Sequence, residues 1–168
     1  MTRLTEKMYA YPAVKTDDWK RLTGPVPVRL TNDYLFRALM QSDEGVLKAV
    51  VAAVLGRKPG EISSVEIRNP VLLGDALGRK GFVLDLQVLV DGREVVNMEM
   101  QVCKYEGWND RFLGYLCRSF DHLNRGQSYR ETRPVLQVAF LDFVPFEGEP
   151  EFFATYKMRN VKTGRVYT

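Results

Sequence analysis

Histidine is almost missing from this 168-residue chain, with His122 standing alone, and cysteine occurs only twice, as Cys103 and Cys117. A single imidazole excludes mechanisms that need paired histidines. The two cysteines have neither CxxC spacing nor a histidine cluster beside them. They therefore read as buried free thiols, not as a zinc site or a disulfide framework. Any metal this chain holds must be held mainly by oxygen. Long apolar runs are also missing: none approaches the roughly 20 residues that span a bilayer. The N-terminal stretch MTRLTEKMYAYPAVK lacks the apolar core of a signal peptide, so a cytoplasmic protein with no membrane association is expected. Strong charge of one sign is absent as well. A net charge of +3 with pI near 8.9 permits a polyanionic partner without demonstrating one. Hydrophobic and charged contents of 45% and 27% are those of a soluble globular domain, and a chain this long can bury roughly two thirds of its unfolded surface.

Residues 1–30 carry Pro12, Pro25 and Pro27 among scattered charges and read as an extended N-terminal arm with a mobile tip, leading into one domain over 31–168. TNDYLFRALMQS offers a capping residue at Thr31 or Asn32, followed by Leu35, Phe36 and Leu39 at helical spacing. EGVLKAVVAAVLG continues as a core helix stopped by Gly56. SSVEIRNPVLLG reads as a short strand limited by Pro70, and GDALGRKG as a loop. A helix is expected across RFLGYLCRSFDHLNRG, closed by Gly126, then the strand VLQVAFLDF. The chain ends in a hairpin around Thr163 and Gly164 whose second arm stops after a few residues, as in a truncated version of something longer. Together these elements specify a mixed α/β sheet with central strands over 82–90, 93–102 and 135–143 and helices on its sides.

The most informative stretch is LDLQVLVDGREVVNMEMQ, residues 84–101. A two-residue Asp-Gly turn would pair Val90 with Arg93 and set Asp85 opposite Met98. The apolar pattern contradicts this. Phe82, Leu84, Leu86, Val88 and Val90 alternate in one strand, as Val96, Met98, Met100 and Val102 do in the other, and both sets are even-numbered. They line one face only if paired positions have an even sum, which demands an odd loop. A three-residue loop over Val90 to Gly92, with Gly92 left-handed in a bulge, satisfies the pattern. A register error would turn several large side chains outward at about 1.5 to 3 kcal/mol each, more than a turn preference recovers. Asp85, Gln87, Asn97, Glu99 and Gln101 then share the second face.

Two carboxylates held close together repel unless a cation lies between them. Hard oxygen donors without histidine or thiolate favour Mg2+, with Mn2+ as a substitute. An ordinary solvated strand face is the alternative for the same residues. On the following helix, Phe112, Leu116, Phe120 and Leu123 form an expected apolar stripe, and Arg111, Tyr115, Arg118 and His122 recur on another side. That second stripe either meets phosphate or is simply solvated.

The segments TNDYLFRALM, GRKGFVLDLQV, GREVVNMEMQ, DRFLGYL and RGQSYRETRPVLQVAFLDF, in this order over most of residues 31–143, resemble the PD-(D/E)XK nuclease superfamily. The closer likeness is to its recombination-promoting nuclease and transposase branch. The resemblance implies a restriction-endonuclease-like mixed central sheet flanked by helices. It further implies a metal-dependent DNA endonuclease that hydrolyses phosphodiester bonds, with DNA as partner and self-association into a homo-oligomer left open. Residue by residue, it implies that Asp85, Glu99 and the Met100 carbonyl ligate the metal, and that Gln101 stands in place of the superfamily lysine. Asp33 matches the acidic residue of the first helix that holds a metal-bound water, although a helix-end charge on the dipole is an equal explanation. Arg111 and Tyr115 match the helix that binds phosphate or supports the site. Two departures favour an alternative, a catalytically silent DNA-binding or assembly module: Gln101 supplies neither positive charge nor proton transfer, and members of this branch extend well beyond RVYT.

Overall fold

Asn32 starts the first helix by accepting the Leu35 amide on its side chain (3.0 Å). In the computed structural model, which describes residues 29–68, 71–72, 82–83, 85–121, 123–148 and 151–167, this helix is α1, Asp33–Ser42. The expected arm up to residue 28, Pro70, the loop GDALGRKG and His122 lie outside the described residues. Asp43 caps the second helix, α2 (Glu44–Leu55), and Gly56 ends it in the left-handed conformation at φ 66°.

Among the described residues six strands follow in chain order: β1 (Val65–Arg68), β2 (Val71–Leu72), β3 (Phe82–Val83), β4 (Leu86–Val90), β5 (Glu94–Gln101) and, after α3 (Trp108–Phe120), β6 (Val135–Leu141). The main sheet has the order β1-β4-β5-β6, with β6 parallel to β5 and the other pairs antiparallel; β2 and β3 form a separate ladder. The even-sum register holds throughout the hairpin, with Leu86 opposite Met98, Val88 opposite Val96 and Val90 opposite Glu94.

The odd loop is displaced from its expected position. It comprises Asp91, Gly92 and Arg93, not Val90 to Gly92. Asp91 and Gly92 both adopt positive φ, 51° and 67°, and the Arg93 amide returns to the Val90 carbonyl (2.9 Å). The Asp-Gly pair thus makes a primed type of turn, and Arg93 takes up the residue that keeps the loop odd. Asp91 also accepts the Ser63 and Ser64 amides, both at 2.8 Å, which fixes the start of β1 beside the turn.

The single strand expected over 82–90 is divided as well. A bend falls at Asp85, and the main ladder begins only at Leu86. Asp85 accepts the Met100 amide on its carboxylate (2.7 Å), so a side chain occupies the place that the next main-chain partner would take.

Leu86, Val88, Val90, Val96 and Met98 form the core with Phe36 and Met40 of α1, Leu47, Val51 and Ala52 of α2, and Ile62. Phe36 meets Phe140 of β6 at 5.2 Å between ring centres. The two helices therefore cover the even-numbered face. Leu86→Ala should lower stability by about 2 to 5 kcal/mol through the cavity it leaves, whereas Leu113→Ala, at a position 56% exposed on α3, should stay within about 0.5 kcal/mol. Urea unfolding midpoints of the two variants check this, and equal losses would contradict the assignment of the core face.

Candidate active site

The odd-numbered face carries Asp85, Gln87, Asn97 and Glu99 beside the apolar pair Leu89 and Val95, and its polar part lies under α3. Asn97 is fully buried at its centre. Its amide nitrogen donates to Ser119 Oγ of α3 (2.7 Å) and Gln137 Oε1 of β6 (2.9 Å), while its oxygen accepts from Gln87 of β4 (3.0 Å). Three strands and one helix are joined by a single amide. Buried amides need such partners, because leaving one unpaired costs about 1 to 3 kcal/mol.

This requirement overturns the expected orientation of α3. The expected apolar stripe does not form its inner face: Phe120 is 53% exposed, and Tyr115 and Ser119 are the buried residues of the helix. Arg111, Tyr115 and Ser119, four apart, form the row turned onto the sheet. Leu113 and Cys117 consequently face outward, and Cys103 lies just past the end of β5. Both cysteines are exposed free thiols, not buried ones. The helix also begins three residues earlier than expected and ends at Phe120, with Trp108 packed on Phe112 (5.3 Å) and Phe143 (5.6 Å).

One step along the register from Gln87 and Asn97 stand Asp85 and Glu99. Glu99 is 5% exposed and pairs with Arg111 (2.7 Å). Burial pushes its carboxyl above the ordinary value, Arg111 opposes that rise, and the nearby Asp85 charge adds to it. Arg111 is itself held on three sides. Its Nε donates to Tyr115 Oη (2.8 Å), and Nη1 donates to Tyr105 Oη (2.9 Å). Its guanidinium carbon lies 4.9 Å from the centre of the Tyr115 ring. Burial disfavours its charge, but the Tyr105 hydrogen bond, Glu99 and Tyr115 outweigh that and raise its basicity. Tyr115 is raised in turn, chiefly by burial.

Asp85 lies 3.7 Å from Arg37 Nη2 of α1. The Val95 amide donates to the Pro134 carbonyl, and the Asp142 amide donates to the Gln101 carbonyl, so odd-numbered main-chain groups of β5 point towards β6. Even-numbered ones point towards β4. The Met100 carbonyl therefore leaves the strand on the Asp85 side, where the main-chain ladder has ended. Asp85, Glu99, Met100, Gln101 and Arg111 line one cleft of about 360 Å³ with Thr31, Asn32, Val102 and Cys103. Gln101 donates its amide to the Cys103 carbonyl (2.8 Å). Asp33 is the first residue of α1 and adjoins Asn32 in the chain; its side chain lies outside the described ones.

Two carboxylates and a main-chain carbonyl form a hard oxygen set that fits magnesium or manganese, which take few protein ligands and complete their shell with water and substrate oxygen. Among the described residues no group of three or more His, Cys, Asp or Glu side chains is assembled. The remaining positions would fall to such external oxygens. Ser119, Tyr105, Arg37 and Gln137 escaped the sequence reading. The four-residue spacing that runs from Arg111 through Tyr115 could have revealed Ser119, and the partnership of Gln137 with Asn97 follows only from the parallel register.

The four-stranded mixed sheet, with helices on both faces, is an α/β fold consistent with restriction-endonuclease-like architecture. A family model described as PD-(D/E)XK nuclease family transposase matches residues 30–168, and the chain belongs to that family. Membership supports a nuclease- or transposase-related role and points to DNA as the substrate class; PD-(D/E)XK nucleases generally use divalent metal ions. Neither a curated protein nor a solved structure matches the chain. No helix among the described residues is long and apolar enough to cross a membrane.

The raised Glu99 carboxyl sets a pH dependence of stability in metal-free protein. Between the ordinary glutamate value of 4.5 and the raised one, the folded state keeps a proton that the unfolded state releases, so stability falls as pH rises. Glu99→Gln does not titrate. Its melting temperature relative to the parent should therefore climb as pH increases from about 4.5 through the raised value and then level off. A difference that stays flat or falls across this window would contradict the burial assigned to Glu99.

Proposed function

We propose that this protein is a magnesium- or manganese-dependent DNA endonuclease that hydrolyses phosphodiester bonds. The observation that carries the reading is the convergence of Asp85, Glu99 and the Met100 main chain on one cleft beside Arg111. Asp85, Glu99 and the Met100 carbonyl would hold the ion. When bound, the ion supplies Lewis-acid stabilisation of charge on the phosphate and acidifies water for attack.

The chain's own groups do the rest. Arg111 is placed by Tyr105, Tyr115 and Glu99, and its planar guanidinium matches phosphate oxygens. Tyr115 Oη positions Arg111, which keeps that cation from swinging out of the cleft. Glu99, beside Arg111 in the cleft, would orient the attacking water next to the ion. Gln101 orients water or phosphate by hydrogen bonds and carries no charge to the reaction. Asp33, the first residue of α1, is assigned a supporting role on the family resemblance.

One observation favours a second reading, a silent DNA-binding or assembly module. Gln101, at the position of the superfamily lysine, spends its amide on the Cys103 carbonyl. Plasmid nicking in magnesium separates the two. Parent protein should convert supercoiled DNA to nicked or linear forms, and Asp85→Ala and Glu99→Ala should each lose at least about 100-fold in rate, the scale of removing one preorganised charge-stabilising group. Equal, magnesium-dependent cleavage by both variants would end the proposal. No cleavage by the parent, together with manganese binding unaffected by Asp85→Asn, would favour the silent module.

A further inference from the structure

The described part of the chain has one segment of dense net positive charge near its C-terminal end. Residues 151–167 contain Lys157, Arg159, Lys162 and Arg165 against Glu151 alone. Taking these four from 24 basic side chains, and this one from 21 acidic ones, leaves 20 of each elsewhere. Residues 151–167 thus carry a net +3, residues 1–30 another +3 from six basic and three acidic side chains, and residues 31–150 a net −3. Every residue of the segment is exposed.

The segment is also shaped. Arg159 and Val166 form an antiparallel bridge, the Asn160 amide donates to the Arg165 carbonyl, and the Tyr167 amide donates to the Met158 carbonyl, the last two both at 2.8 Å. The tip is closed by Asn160, whose side-chain oxygen accepts the Lys162 and Thr163 amides (2.9 Å each), and by Gly164 at φ 70°. Tyr156 contacts Phe146, just beyond β6, with ring centres 5.6 Å apart. Phe152, Phe153, Tyr156 and Tyr167 nevertheless stay largely exposed. Exposed rings at this density mark an interaction surface.

The occupant must tolerate four cations and offer flat or apolar groups to the rings. A second copy of this chain related by a two-fold axis would set these cations against their own equivalents, at a repulsive cost. Nucleic acid satisfies both demands, with phosphates for the cations and bases or sugars for the rings. We infer that the 151–167 hairpin is a DNA-docking arm that binds the backbone outside the catalytic cleft and supplies salt-dependent affinity through its four cations. The inference rests on DNA as the substrate and adds the surface that grips it.

The test uses the full chain in EDTA, so that binding is read without cleavage. Anisotropy of a labelled duplex and of a labelled single strand is measured across a salt series. The parent is compared with Lys157→Gln/Arg159→Gln/Lys162→Gln/Arg165→Gln and, separately, with Phe152→Ser/Phe153→Ser. Four phosphate contacts contribute about 3 to 4 to the log–log salt slope, or ~100-fold in affinity between 50 and 200 mM salt. The quadruple variant should lose that slope and that affinity while melting at the parent temperature. The double variant should weaken binding, most of all to the single strand, and keep the slope.

An unchanged slope in the quadruple variant overturns the inference. So does parent-like DNA binding by both variants when the aromatic variant shifts a dimer to monomer in sedimentation, which would assign the face to a second copy. Hairpin-dependent binding to phosphatidylserine vesicles without an effect on DNA would overturn it as well. Magnesium-dependent nicking with hairpin-independent DNA binding would leave the endonuclease reading standing and remove only this one; hairpin-dependent binding without nicking would do the reverse.

Discussion

A loop of odd length joins two strands whose core residues Leu86, Val88, Val90, Val96 and Met98 are even-numbered, and from that register the two faces of the sheet acquire different chemistry. Val88 opposite Val96 and Leu86 opposite Met98 turn to α1 and α2. Gln87 opposite Asn97, and Glu99 beyond them, turn to α3. A slip of one residue would send every one of these side chains to the wrong face. The loop meets the requirement by letting Asp91 and Gly92 make the tight turn while Arg93 absorbs the extra residue. The turn preference and the hydrophobic pattern thus act together in the folded chain, although they conflict when each is applied alone.

A polar face inside a protein is costly unless its groups are paired, and α3 pairs much of it, leaving the buried Gln137 Nε2 without a hydrogen-bond partner among the described residues. Ser119 closes the amide cluster around Asn97, and Arg111 neutralises Glu99 while two tyrosine hydroxyls hold the guanidinium. Breaking such a pair is destabilising because it strands a buried charge. The same arrangement leaves the site chemically poised. Glu99 feels burial, Asp85 and Arg111 at once, so its protonation responds to any cation that enters the cleft. Asp85 has a structural part in this. By accepting the Met100 amide it ends the main-chain ladder and holds open the edge onto which the Met100 carbonyl projects.

Much of this was legible in the linear chain. The Asn32 cap, the Gly56 stop, the left-handed Gly92 and the shared face of Asp85, Glu99 and Gln101 follow from local rules: hydrogen-bonding side chains at helix starts, the conformational freedom of glycine, and the period of two in strands. The orientation of α3 was not legible, because an apolar stripe of Phe112, Leu116 and Phe120 is the usual inward face and nothing local says that the surface beneath it is polar. The exposure of Cys117 follows from the same rotation. Nor was the division of the 82–90 strand, since a side-chain carboxylate replacing a ladder partner cannot be distinguished by periodicity from a continuous strand.

The sequence by itself determined most of the secondary elements, the parity of the hairpin and the set of oxygen-bearing side chains on one face, because these depend on neighbours a few residues away. Only the tertiary structure decided which helix covers that face, which of its rows turns inward, and that Arg111, held by Tyr105 and Tyr115, pairs with Glu99. Those choices are made by the need to satisfy buried polar groups on strands distant in sequence, and that need exists only once β4, β5 and β6 have come together.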